Sequence, residues 1–204
     1  DPLSKNHRAK LPRNFADYFS LELLALTCVL INMDRSKSIE LLNLAVAEEL
    51  LSVHQYMYFH FHCDDRGYEP LAAIFKRISI AEMIHVEKLA ERILFLKGDV
   101  QMKLSGAIRY INTDGLANVE DMLKTGRSLE EGSINDYNKW ANLASSYSDS
   151  GTKTLFEDII KSEEDHFDIF DTEIDNLATF GDSYLSLQAI DRSRASGASA
   201  SHPN

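Results

Sequence analysis

The sequence predicts an all-α fold: a four-helix bundle with one long crossover and a short fifth helix at its C-terminal end. Three observations carry this. Apolar residues recur at three- and four-residue steps along four long stretches, and no two-residue alternation competes with them. Only 4 Pro and 9 Gly occur in 204 residues, so long uninterrupted helices are permitted. The breaks between stretches run short, long, short, which is the rhythm of two helical hairpins joined by a crossover.

Residues 1–35 stand apart as an N-terminal extension of unknown role. Lys5, Arg8, Lys10 and Arg13 precede an apolar stretch, Phe19 to Ile31, in loose imitation of a signal peptide. Glu22 interrupts that stretch, Thr27-Cys28 is a poor lipoprotein context, and no small-x-small site follows. Met33 fits a natural start, which would make residues 1–32 an appended or docking segment.

The regular domain is expected over residues 36–192. In its first helix Ile39, Leu42, Val46, Glu49, Val53 and Tyr56 share a face from about residue 37 to residue 65. Asp64-Asp65-Arg66-Gly67 ends it, with Gly67 placed to leave the helix left-handed. Glu69-Pro70 opens the second helix, since a proline in the first turn removes an N–H that has no partner anyway. That helix runs through Leu96 to a stop at Lys97-Gly98. Residues 98–117 hold Gly98, Gly106 and Gly115 with little periodicity, and read as the crossover. The third helix begins near Asn118 and ends before Ser148-Asp149-Ser150-Gly151. The fourth spans about Thr152 to Thr179, with Gly181 after it. Tyr184 to Arg192 forms the short fifth helix, and the Ser/Ala-rich residues 193–204 form a disordered tail.

A length of 204 residues with 44% apolar and 26% charged residues suits one domain with a full core. A net charge of −11 argues against a nucleic-acid or anionic-membrane binder, because both need a basic face. It suits a protein that attracts cations, or simply a well-solvated surface. Cys28 and Cys63 are far apart and form no CxxC pair, so neither a disulfide scaffold nor a zinc finger is indicated. A cytoplasmic location follows most naturally. No apolar run reaches the roughly 18–20 residues that span a bilayer.

The chemistry lies in Glu and His. Two Glu-x-x-His motifs occur, Glu82-Met83-Ile84-His85 and Glu163-Glu164-Asp165-His166. Positions i and i+3 of a helix share a face, so a carboxylate and an imidazole can reach one metal from adjacent turns. With 7 His in the chain, about 0.5 such pairs arise by composition alone, so the motifs by themselves are weak. The spacing is stronger. Glu49 precedes Glu82 by 33 positions, and Glu130 precedes Glu163 by 33. Residues equidistant from a hairpin turn sit at one level, and the midpoints of Glu49/His85 and Glu130/His166 are residues 67 and 148, at the two predicted turns. Six solvated residues on amphipathic helices would need both matches by accident. Four buried carboxylates are costly unless paired or metal-bound, and carboxylate with imidazole suits iron or manganese rather than a thiolate zinc or copper site. One Glu from each of two helices plus Glu-x-x-His from the other two is the general di-iron arrangement of such bundles.

With these motifs the chain resembles a bacterioferritin over roughly residues 36–192, within the ferritin-like di-iron superfamily. The resemblance rests on Glu49-Leu50-Leu51-Ser52-Val53-His54-Gln55-Tyr56, on Glu82-Met83-Ile84-His85 with Glu91-Arg92-Ile93-Leu94-Phe95-Leu96-Lys97-Gly98, and on Leu129-Glu130 with Glu163-Glu164-Asp165-His166. The Tyr184-Leu185 region resembles the family's short fifth helix, and residues 1–35 take no part. The resemblance implies terminal carboxylates at Glu49 and Glu130, bridging carboxylates at Glu82 and Glu163, and imidazole ligands at His85 and His166. Tyr56, seven residues after Glu49, matches a tyrosine that supports the site, although it also reads as a core aromatic. Met83 stands where the family places the axial ligand of a heme b shared by two subunits. It lies about 100° around the helix from Glu82, facing away from the bundle centre, with an apolar methionine in a subunit interface as the alternative reading.

The resemblance further implies two Fe ions per subunit and a ferroxidase that oxidises Fe(II) with O2 or H2O2. It implies iron storage in a homo-oligomeric cage, a 24-mer built from dimers. The alternatives are a non-storing di-iron peroxidase or oxidase, a mini-ferritin-type protective protein, or a manganese site. Two departures are visible. Arg77 and Ala81 occupy places where some members carry inner-surface iron ligands, and the crossover is longer than the family's usual one. His60 is expected to be a core histidine with its hydrogen bonds met rather than an aid to iron access, and His62-Cys63 a structural pair.

Overall fold

Four helices of seven to nine turns make the body of the protein, and each closes by a specific backbone device. The structure, a computed structural model, describes residues 34–111, 116–181, 183–187 and 190. The expectations for residues 1–32, Met33 and 193–204 lie outside these. Helix α1 spans Arg35–Asp65, α2 Glu69–Phe95, α3 Leu116–Ser146 and α4 Ser150–Phe180. A helical turn over 183–187 follows, in the place expected for the fifth helix. No strand occurs among the described residues.

The two hairpin turns are built alike. After α1, Gly67 takes φ 76°. Its N–H donates to the Asp64 carbonyl and that of Tyr68 to the Cys63 carbonyl, so carbonyls left open at the helix end are satisfied. After α3 the same pair of bonds runs from Ser148 to Ser145 and from Asp149 to Ala144, with Ser148 at φ 60°. Asp149 then caps α4 by accepting from the Thr152 N–H at 3.0 Å. The α2 terminus repeats the device with Lys97 at φ 67°. Gly98 is therefore not the left-handed residue there. It is needed because a Cβ would lie 2.8 Å from the Ile39 side chain.

α1 packs mainly against α2 and α3 against α4, with lighter contacts between α1 and α3 and between α2 and α4. The crossover is tied along α1 by two side-chain amides that stand in for a partner strand. Asn43 donates to the Asp99 carbonyl and accepts from the Gln101 N–H. Gln55 donates to the Arg109 carbonyl and accepts from the Arg109 N–H. Apolar layers lie above and below the middle of the bundle. Tyr56, Phe59, Phe75 and Phe170 fill one side and Tyr137, Trp140 and Phe156 the other, all buried. Each such side chain contributes about 1.5–3 kcal/mol by leaving water. Between the layers the bundle is polar.

Candidate metal centre

Glu49 on α1, Glu82 and His85 on α2, Glu130 on α3, and Glu163 and His166 on α4 meet in that polar layer, every one of them buried. All six residues expected from the spacing are brought together. They form two overlapping groups. Glu49, Glu82, His85 and Glu163 offer donor atoms within 4.8 Å of one another, and so do Glu82, Glu130, Glu163 and His166. Glu82 and Glu163 belong to both groups, Glu49 and Glu130 to one each.

His85 Nδ1 lies 2.9 Å from Glu82 Oε2, 3.0 Å from Glu163 Oε1 and 3.5 Å from Glu49 Oε2. His166 Nδ1 lies 3.0 Å from Glu82 Oε1 and 3.7 Å from Glu130 Oε2. Despite this crowding, both Glu82 oxygens, Glu163 Oε1 and both Nδ1 atoms make no aligned hydrogen bond. Buried polar atoms are nearly always satisfied, so five orphaned donors aimed at a common space mark a site built for something positively charged. Hard oxygen donors with two imidazoles and no thiolate fit iron or manganese.

The electrostatics carry the same message. Burial, then the charge of Glu82, pushes Glu49 up to about 8. Burial, then Glu49 and Glu82, holds Glu163 well above the usual carboxylate range. Burial would also raise Glu82, but the His166 and His85 rings outweigh it and bring it down to about 2. Burial opposes charge on His85, yet Glu163, Glu49 and Glu82 raise it to about 12. His166 is raised to about 9, its burial outweighed by Glu130 and Glu82. Protons therefore fill the positions that a metal would neutralise.

Two tyrosines stand behind the carboxylates. The Tyr56 hydroxyl donates to Glu130 Oε1, which places it at the site as expected, while its ring also packs in the core against Phe170. The Tyr137 hydroxyl donates to Glu49 Oε1, and sequence reasoning missed it. The signal was present. Each site residue of the first hairpin recurs 81 positions later: Glu49 and Glu130, Glu82 and Glu163, His85 and His166, Tyr56 and Tyr137. One turn beyond the terminal pair, Ser52 and Ser133 are related in the same way. They line an open pocket of about 210 Å³ with Glu48, Leu129 and Asp136. Burial and the facing Asp136 push Glu48 above its ordinary value.

Met83 lies outside this constellation. It is 55% exposed on α2, between Ile80 and Ile84, which are each 43% exposed. His54 is also outside, bonded to the Leu50 carbonyl at 2.6 Å. His60 Nδ1 meets the Ala72 carbonyl at 2.9 Å, the structural role expected of it. Cys63 is buried with its thiol 3.8 Å from the Met122 sulfur, and burial pushes it up to about 12, so it is a core residue. Arg77 is exposed.

Fold and sequence comparisons agree on the class. The model of the ferritin-like domain matches residues 39–180, so this is a ferritin-like protein. A bacterioferritin from Desulfovibrio desulfuricans is 35% identical over 151 residues, covering 74% of this chain and 82% of its own. The structure of that organism's bacterioferritin, solved with its diiron site in different catalytic states, superposes with a TM-score of 0.72 at 34% identity over 77% of this chain and 90% of that one. Rhodobacter capsulatus bacterioferritin, solved with a metal-free dinuclear site and a heme iron, gives a TM-score of 0.69 at 28% identity over 74% and 92%. The chain belongs to the bacterioferritin family.

Proposed function

We propose that this protein is an iron-storing ferroxidase, oxidising Fe(II) to Fe(III) at a di-iron centre within each subunit and collecting the mineral in a hollow homo-oligomeric cage, a 24-mer. The observation that carries this is the set of orphaned, buried oxygen and nitrogen donors converging from all four helices. Glu49 and His85 would hold one iron, Glu130 and His166 the other, and Glu82 and Glu163 would bridge them, as their membership of both donor groups supports. Two irons so held supply two electrons to O2 or H2O2.

The side chains do the rest. Four carboxylates offset the positive charge that grows as iron is oxidised. The aromatic layers on either side keep bulk water from the buried donors. The pocket lined by Ser52 and Ser133 supports a path by which substrate Fe(II) arrives, with Glu48 and Asp136 at its wall. Met83 is the proposed axial ligand of a heme b shared by two subunits, supported by its exposure among apolar neighbours on α2. Cys63 is a free thiol, in keeping with a reducing cytoplasmic setting. No helix among the described residues is long and apolar enough to cross a membrane.

Replacing Glu49 and Glu130 with Ala should abolish fast Fe(II) oxidation in stopped-flow while leaving the particle assembled. Wild-type rates in that variant would overturn the assignment. Metal analysis of natively purified protein separates iron from manganese, and a dimer without mineral would contradict storage.

A further inference from the structure

Tyr56 and Tyr137 form a reciprocal pair across the α1–α3 seam. Tyr56, on α1, donates to Glu130 on α3, and Tyr137, on α3, donates to Glu49 on α1. Both rings are essentially inaccessible. The Tyr137 ring is wedged against Trp140, with centroids 5.3 Å apart, and Phe156, at 5.5 Å. Its hydroxyl therefore has a fixed address.

The choice of oxygen is informative. Each tyrosine takes Oε1 of its carboxylate. The other oxygen is left facing the imidazoles: Glu49 Oε2 is 3.5 Å from His85 Nδ1 and Glu130 Oε2 is 3.7 Å from His166 Nδ1. A carboxylate held by one oxygen presents the other in a single orientation, the service that outer hydrogen bonds perform for metal ligands generally. Glu49 takes part in only one of the two donor groups and Glu130 only in the other. We infer that Tyr137 is a positioning residue for one metal position alone, the one at Glu49 and His85. This rests on the reading of Glu49 and Glu130 as ligands.

Anaerobic Co(II) titration of the metal-free protein, followed by the visible absorption of bound Co(II), tests it without reference to catalysis. Wild type should take two Co(II) per subunit. Tyr137→Phe deletes one oxygen and keeps the ring between Trp140 and Phe156. It should leave one Co(II) unchanged and weaken the other by roughly 10–100-fold. In a Glu130→Ala background, which retains only the position at Glu49 and His85, Tyr137→Phe should weaken the remaining Co(II) by the same factor. Tyr56→Phe, its partner gone, should leave it unchanged. Two wild-type affinities in Tyr137→Phe overturn the inference. So does equal weakening of both positions, which is what a merely structural tyrosine would produce. If Glu49→Ala itself takes up Co(II) as wild type does, the ligand reading fails instead, and the two failures are told apart.

Discussion

Loading the centre with two divalent ions at pH 7 should expel at least about three protons per subunit, because ligands must be deprotonated to bind. Before metal arrives, His85, raised to about 12, and His166, raised to about 9, both carry a proton at pH 7. Burial and the charges of Glu49 and Glu82 also hold Glu163 above the carboxylate range, which adds to the competition with metal. Glu49, raised to about 8, is roughly nine-tenths protonated at that pH. Glu82, brought down to about 2, has none to give. Protons leaving as the two divalent ions enter offset most of the charge those ions bring, so one set of side chains tolerates both states in a medium that penalises net charge. Raised values mean that protons compete with metal, so affinity must rise with pH. The product of the two binding constants should climb by at least about three decades per pH unit near pH 7. Anaerobic calorimetry of Co(II) binding in buffers of different ionisation heat reads the proton count directly. It should fall by roughly one between pH 7 and pH 9, as Glu49 and half of His166 lose their protons before metal binds. A release of one proton or fewer at pH 7, or a count that stays level between pH 7 and 9, would refute the reasoning.

Two further perturbations follow from packing. In Gly126→Ala the new Cβ would sit 2.8 Å from the Phe170 ring, an overpacking worth about 1–3 kcal/mol against about 1 kcal/mol gained in helix propensity. Thermal melts should show a net loss of about 1 kcal/mol, recovered when Phe170→Leu is added, since Ala45 and Leu89 occupy the counterpart positions of the first hairpin; strict additivity would contradict the clash. Ile84→Glu places a charge in the exposed apolar row of α2 and should lower particle mass in light scattering while the helical circular dichroism stays intact.

Helical geometry explains what could be read in advance. A helix converts sequence spacing into position with little freedom, so the 33-residue offsets alone locate all six buried Glu and His residues. Gly67 announced the first turn for the same local reason. Ser148 and Lys97 adopt the same left-handed backbone without glycine, and nothing local marks them, because the packing of the hairpin imposes that conformation. The crossover was legible only as a gap, since Asn43 and Gln55, far away in sequence, give its backbone partners. Gly126 sits inside a helix, where glycine is unfavourable, and the reason lies in Phe170 across the bundle, which leaves no room for a Cβ. Tyr137 was hidden differently. Its reach to Glu49 follows from the 81-residue repeat, which needs to be applied to every functional residue rather than to the ligands alone.

That repeat also separates what the interior demands from what the exterior meets. Inside, the hairpins match: Phe75 pairs with Phe156, Ile78 with Ile159, Ser52 with Ser133, all buried. Outside they do not. The exposed row Ile80, Met83 and Ile84 on α2 corresponds to Lys161, Glu164 and Asp165 on α4, also exposed. The same core constraints act on both hairpins, so they cannot have produced this difference. Lys161, Glu164 and Asp165 make a face that water solvates well. A contiguous apolar row on the equivalent face is costly in water and favourable once another surface covers it. On that argument a covering surface would meet the α1–α2 hairpin rather than its counterpart, with Met83 at the centre of the row it would bury.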